Sequence, residues 1–243
     1  MAPVLLLHNK TVEGVMDVGW FFEQRVAFIR KLYAGASAPF VETQRKIEAD
    51  EPPFDDPPFF DDGEPPFLAE FLEARDSVDV LGHACLCMLS SALHAYLHTC
   101  DVLYGTGREL DDEVRKKLFR KGWVRGYNTI FTKVRGVRFS DGPVPVPFLE
   151  EIVLTRNAIQ HQLSVTSNRP NHPEHKGGRA RPFFASEDEM RTLSHLDTDP
   201  KSWLMPPTVH VNADKLNAAL NAATSFVTWF DKALMAKVYP DSV

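Results

Sequence analysis

Several stretches of the chain place apolar residues three and four apart, the repeat of one helix face. The longest runs over about 67–104, where Val78, Leu81, Cys85, Met88, Ala92, Ala95, Thr99 and Val102 fall in line before Gly105 and Gly107. A second stripe, Leu216, Leu220, Ala223, Val227, Phe230 and Leu234, predicts a last helix after Val211, with Asn212 as its N-cap. Near the start, 15–34 alternates Trp20, Val26, Phe28, Ile29 and Leu32 with Glu23, Gln24, Arg25, Arg30 and Lys31, and a short helix is expected over 41–49. Further helices are predicted from Leu110-Asp111-Asp112-Glu113, whose acids suit a helix N-terminus, over 127–134 behind Gly122 and Gly126, and over about 148–163. Strand candidates are few: 4–7, 136–139 and 208–211. The pattern predicts an all-α fold, a helical bundle with long helices.

Three segments interrupt it. Residues 50–66 hold six prolines, seven acids and no basic residue, and Pro-Pro-Phe recurs at 52–54, 57–59 and 65–67. Proline removes a donor and fixes φ, so an extended acidic loop or linker is expected there. Residues 135–147 form a Pro- and Gly-marked loop, and 164–207 reads as long, irregular and rich in Pro, Gly and His. A chain of 243 residues suffices for one large domain or two small ones. We read one domain over 1–243, with 67–238 as its best-supported core. Residues 1–66 either pack on that bundle or form an accessory unit, and the first is preferred because 15–34 is apolar enough to need a partner face.

Composition narrows the class. Hydrophobic residues at 44% and charged residues at 25% are a globular balance, and a net charge of −6 counts against wholesale binding to nucleic acid while leaving room for a local basic patch. Cys85, Cys87 and Cys100 share one apolar helix and read as buried, reduced thiols, since Cys85-Leu86-Cys87 lacks the gap of a zinc knuckle. Met1 to Leu7 is too short for a signal peptide, and no uninterrupted apolar run reaches the roughly 18 residues of a membrane span. The expected location is cytoplasmic, with no membrane and no cofactor.

Candidate chemistry sits on the helix at 148–163, in Arg156-Asn157-Ala158-Ile159-Gln160-His161. At about 100° per residue, Phe148, Ile152, Ile159 and Leu163 fall within about 60° and mark a core face. Asn157 and His161, four apart, lie opposite, and Arg156 lies on the flank. A lone helix histidine is ordinarily a surface or structural residue. A cation, an amide and an imidazole together can bind a phosphodiester, orient a ring and move a proton.

This motif, Arg-polar-x3-His on a late helix, preceded by Leu-Glu-Glu-Ile-Val-Leu-Thr and flanked by a long helix before and an apolar one after, resembles that of the HEPN family. The resemblance covers about 67–238 and implies a HEPN-like bundle with long antiparallel helices. It also implies a metal-independent endoribonuclease, acting as a homodimer whose composite site forms across a two-fold. His161 would move protons, Arg156 would neutralise the phosphorane-like transition state, and Asn157 would orient His161 or hold phosphate. RNA carries its own nucleophile, so the implied product is a 2′,3′-cyclic phosphate. The implied setting is bacterial defence or a toxin–antitoxin pair, with an antitoxin or other regulatory protein as partner. Leu154, on the Asn157 side, is apolar enough to pack across such an axis or against another helix. The alternative is a non-catalytic HEPN-like module that dimerises or binds a ligand or RNA.

Arg115, Lys116, Lys117, Arg120, Lys121 and Arg125 form a basic cluster, either a solvated face or, with Trp123 and Tyr127 for stacking, the RNA-binding surface. His172, Glu174, His175 and His195 show no familiar zinc spacing, so no metal is expected. Their loop, with Arg169, Lys176, Arg179 and Arg181, reads as solvated or as a cover for the site. His83, His94 and His98 read as packing or surface residues of the long helix. The acidic 50–66 segment is a linker, a docking element for a partner, or a restraint over a basic surface.

Overall fold

The computed structural model describes residues 11–12, 15–56, 63–161, 169–172, 182–196 and 207–240. The fold is all-α. Helices α1 (Val18–Glu48), α2 (Leu68–Leu103), α3 (Asp112–Phe119), α4 (Trp123–Arg135), α5 (Val146–Gln160), α6 (Glu187–Leu196) and α7 (Ala213–Val238) follow in order. A two-residue hairpin, β1 (Thr11–Val12) on β2 (Val15–Met16), precedes α1.

Helix α2 is the axis. Helix α1 packs along it, and α4, α5 and α7 cover its other sides. Leu86, Leu89, Leu93, Tyr96, Leu97 and Cys100 are fully enclosed. The predicted α2 stripe is therefore only one of its buried faces: Cys85 and Ala92 are buried along it, and Val102 is exposed. By length and composition α2 would pass for a membrane span, contrary to the run-length expectation, yet 56% of its most apolar stretch is buried by the other helices. All three cysteines are free, and burial pushes the Cys85 and Cys100 thiols up, which keeps them protonated.

Below the axis, α7 contributes Phe226 and Phe230. These meet Phe131 of α4 and Phe139 edge-on at centroid distances of 4.9 Å. Each such pair adds about 1 kcal/mol beyond the area it buries. The predicted α7 stripe is buried at every position, and the Asn212 side chain caps the helix by accepting from the Lys215 N–H at 3.0 Å. Asp111 caps α3 in the same way.

Three expectations fail instructively. The helices predicted over 15–34 and 41–49 are one helix that runs through Pro39. The proline forfeits one backbone hydrogen bond, but Phe22, Val26, Ile29, Tyr33 and Ser37 make a continuous buried seam that holds the helix together. Residues 136–139 form no strand; Phe139 instead opens a short 3-10 turn. Helix α6 lies in a stretch expected to be irregular. Of the other strand candidates, 4–7 lies outside the described residues, and 208–211 contributes only isolated bridges, Thr208 to Asn171 and Val209 to Ala185.

Candidate functional site

Helix α5 begins at Val146 behind Pro145, with Pro147 in its first turn, where a missing N–H costs nothing. It ends at His161, whose N–H donates to the Asn157 carbonyl at 2.9 Å. Its buried residues are Leu149, Glu151, Ile152, Val153 and Thr155, a wider arc than the sequence marks. Arg156 falls inside that arc, between the directions of Leu149 and Ile152. It therefore leans over α2 and does not occupy the flank. Leu163, the fourth residue of the expected core face, lies outside the described residues.

Arg156 is half-buried, and its Nη1 donates to Asn157 Oδ1 at 2.8 Å. Its Nε is buried and, among the described residues, has no hydrogen-bond partner. Its charge reaches two α2 side chains: it adds to the burial that lowers His94 below the ordinary imidazole value, and it opposes the burial that raises the Cys87 thiol. His161 is exposed and lies about 140° around the helix from Arg156. Within one chain the arginine and the histidine of the motif thus diverge. Leu154 is half-buried beside Asn157.

What the fold sets beside Arg156 comes from elsewhere in the sequence. His94 of α2 is exposed, yet its ring centroid lies 5.0 Å from Trp123 and 5.9 Å from Tyr127 of α4. His98, one turn along α2, stands with Nδ1 3.4 Å from the Tyr127 hydroxyl. The corner of α2, α4 and α5 therefore gathers a guanidinium, an amide, two imidazoles and an indole. The sequence shows His94 and His98 four apart, but nothing in it reports their approach to Arg156 or Trp123.

The basic cluster divides. Arg115 is bound to Asp101 and lies over the Phe119 ring. Arg125 pairs with Glu150 of α5, and Lys116 pairs with Glu113 at 3.0 Å. Lys117, Arg120 and Lys121 are exposed, and among the described residues no carboxylate engages them. They lead directly into Trp123.

A second polar cluster lies further along α2 and is of another kind. Asp79, buried, takes His210 Nδ1 at 2.7 Å and Arg169 Nη2 at 2.8 Å. Arg169 also approaches Asp76 at 3.4 Å. His83 Nε2 lies 3.3 Å from the Val209 carbonyl, and burial lowers its pKa. Buried Glu151 accepts from the Phe183 and Phe184 N–H groups, with His172 Nε2 at 3.8 Å. Lys215 donates to the Ala185 carbonyl at 2.5 Å. Gly82 lets the chain at Val211 touch α2, since a Cβ there would collide with the Val211 carbonyl. The segments at 169–172, 182–186 and 207–211 are thus pinned to the core; of these, 169–172 belongs to the loop expected to be solvated or a cover for the site. Glu174, His175, Lys176, Arg179 and Arg181 lie outside the described residues, as does the side chain of His195. Among the described residues no group of three His, Cys, Asp or Glu side chains is placed to hold a metal.

At the start of the acidic segment, Glu51 pairs with Arg45 at 2.6 Å, and Phe54 meets Phe67 edge-on at 5.0 Å. Residues 57–62 lie outside the described residues. Comparison of the chain with family models, with curated proteins and with solved structures finds no match.

Proposed function

We propose that this chain is a metal-independent endoribonuclease of HEPN type, acting as a dimer with a composite site and leaving a 2′,3′-cyclic phosphate. One observation carries the reading. Each other half-buried arginine among the described residues has its carboxylate: Arg75 has Asp76, Arg115 has Asp101, Arg135 has Glu109 and Arg169 has Asp79. Arg156 has none among the described residues; the side chain it touches is the neutral Asn157 amide, and its charge acts on the His94 imidazole. A guanidinium held in place without a counterion is suited to an external anion, and planar guanidinium suits phosphate. Asn157 fixes its pose, and the exposed imidazole of His161 supplies a proton carrier at the helix end.

The divergence of Arg156 and His161 within one chain supports the dimer. Two α5 helices related by a two-fold bring two copies of the motif together, so that arginine and histidine of different copies can serve one phosphate. The half-buried Leu154 is apolar contact for such an axis. The setting we assign, bacterial defence or a toxin–antitoxin pair with a regulatory protein, rests on the HEPN resemblance alone. The non-catalytic alternative draws on the Asn157–Arg156 hydrogen bond, which would serve equally to lock a ligand-binding arginine.

Mixed cellular RNA incubated in EDTA with the parent, His161→Ala and Arg156→Ala separates the two. Cleavage by the parent and a loss of roughly a hundredfold or more in each variant is expected. Binding of RNA without cleavage, in the presence of any regulatory partner, would favour the module.

A further inference from the structure

We propose that His94 is a further catalytic residue of the Arg156 centre, taking the proton from the attacking 2′-hydroxyl, and that Trp123 is the platform on which the adjoining base stacks. This rests on the ribonuclease reading above and extends it to residues outside the motif.

The placement is the argument. The His94 ring lies 5.0 Å from the Trp123 indole at an interplanar angle of 58°, and 5.9 Å from Tyr127. Helix α5 packs on the same α2, and Arg156 is near enough for its charge to act on the imidazole. On this placement a phosphate bound by Arg156 comes next to His94, and the nucleoside attached to it next to the indole. Trp123 is half-exposed at the first position of α4, one residue (Gly122) after the exposed Arg120 and Lys121. An aromatic face beside cations that follow a backbone is the usual way to hold single-stranded RNA without reading its sequence.

The surroundings also set the protonation state. Burial, His98 on α2 and Arg156 on α5 all disfavour the imidazolium and lower His94. Among the described residues, the other groups facing it are Trp123 and Tyr127 of α4, and neither supplies a negative charge at neutral pH. A neutral imidazole is a proton acceptor, which is what the attacking hydroxyl needs.

In the step, the 2′-hydroxyl proton passes to His94 as O2′ bonds to phosphorus. The bond from phosphorus to O5′ then breaks, and O5′ takes a proton from the imidazolium of His161 to leave as a 5′-hydroxyl. Arg156 stabilises the charge that builds on the non-bridging oxygens. The two imidazoles end with protonation states reversed and return to their starting states through solvent, so no oxidant, metal or water is consumed.

The test is steady-state cleavage of a short single-stranded oligoribonucleotide in EDTA across a pH series, with thermal melting of each variant as the folding control. His94 is exposed, so His94→Ala and His94→Gln should melt with the parent. Both should lose roughly a hundredfold or more in kcat with little change in KM. Both should also lose the acidic limb of the kcat profile, which in the parent lies below the ordinary imidazole value of about 6.5. Trp123→Ala should raise KM roughly tenfold, and Trp123→Phe should restore most of it. A His94→Ala enzyme with parental kcat and an intact acidic limb overturns the catalytic role while leaving the ribonuclease reading in place, provided His161→Ala is inactive. An unchanged KM in Trp123→Ala overturns the platform. A parent that does not cleave overturns both the inference and the reading beneath it.

Discussion

Two clusters of histidine and arginine hang on the same helix, about ten turns in length, and they differ in what completes them. Around Asp79 each cation or imidazole has a partner: a buried carboxylate holds His210 and Arg169, and neighbouring backbone carbonyls meet His83 and Lys215. Around Arg156 the imidazoles are exposed, and no carboxylate appears among the described residues. The same residue types thus do opposite work. Paired with a buried carboxylate, they fasten the segments at 169–172 and 207–211 to α2. Without a carboxylate among the described residues, they leave room for an anion and a proton. Residue type and spacing do not tell these apart; counterions do.

The comparison breaks most sharply at its two arginines. Arg169→Met leaves Asp79 buried with half its compensation, and loss of one partner from such a pair costs about 3–5 kcal/mol. A fall of that size in the denaturant midpoint is expected, with cleavage per folded molecule unchanged. Arg156→Ala should do the reverse, removing about 3 kcal/mol of transition-state stabilisation and leaving the unfolding midpoint near the parent's. Equal stability losses in the two variants would mean that Arg156 is simply another clasp.

How much of this was legible varies with how many sides of an element are covered. Helix α7 buries one stripe, so the spacing of Leu216, Leu220, Ala223, Val227, Phe230 and Leu234 identifies it fully. Helix α2 is covered on nearly every side, so its periodicity shows only one of several faces. Pro39 argues locally for two helices, and the seam from Phe22 to Ser37 overrides it. On α5, Phe148 and Ile159 suggest where the core lies, but the chain at 183–184 folds over Glu151 and widens the buried arc on one edge. On the other edge Leu149 and Val153 are buried as well, and this places Arg156 inside the arc and not on its flank. The Arg-Asn-His motif was visible as a string; the orientation of its members, and the company of His94 and Trp123, arise only from packing between helices distant in sequence.

A third buried acid sharpens the role of counterions through pH. Asp79 is pushed up by burial, but the His210 hydrogen bond and the charges of His210 and Arg169 prevail and hold it below the usual carboxylate range. Its contribution to stability is present above the unfolded value near 4 and is lost as pH falls through the lowered one. Asp231 of α7 has a hydroxyl partner, Tyr96, and among the described residues no cation pairs with it. Burial dominates there, with Asp17 and Glu23 adding to it, and the carboxyl is raised to about 6. For a raised acid the sign reverses: its favourable contribution is complete below about 4 and is lost as pH climbs through about 6, a penalty of order 2–3 kcal/mol at pH 7. Asp231→Asn, which keeps an acceptor for Tyr96, should be more stable than the parent at pH 7 and close to it at pH 4. A difference that does not change between those pH values would sink this account.

The smallest effect expected is at the corner leading into Trp123. Lys117, Arg120 and Lys121 are exposed and unengaged among the described residues, whereas Arg115, Lys116 and Arg125 already have carboxylates. Charge in contact with RNA phosphates appears in the salt dependence of binding, each neutralised phosphate of a single strand adding about 0.7 to the slope of log K against log salt. Replacing Lys117, Arg120 and Lys121 together with Gln should lower that slope by up to about 2 and weaken binding several-fold at moderate salt, with folding and kcat untouched. Replacing Lys116 should change the slope less, because its charge is shared with Glu113. If the triple variant keeps the parental slope, the RNA path does not cross this corner, and the cations before Trp123 are an ordinary solvated face.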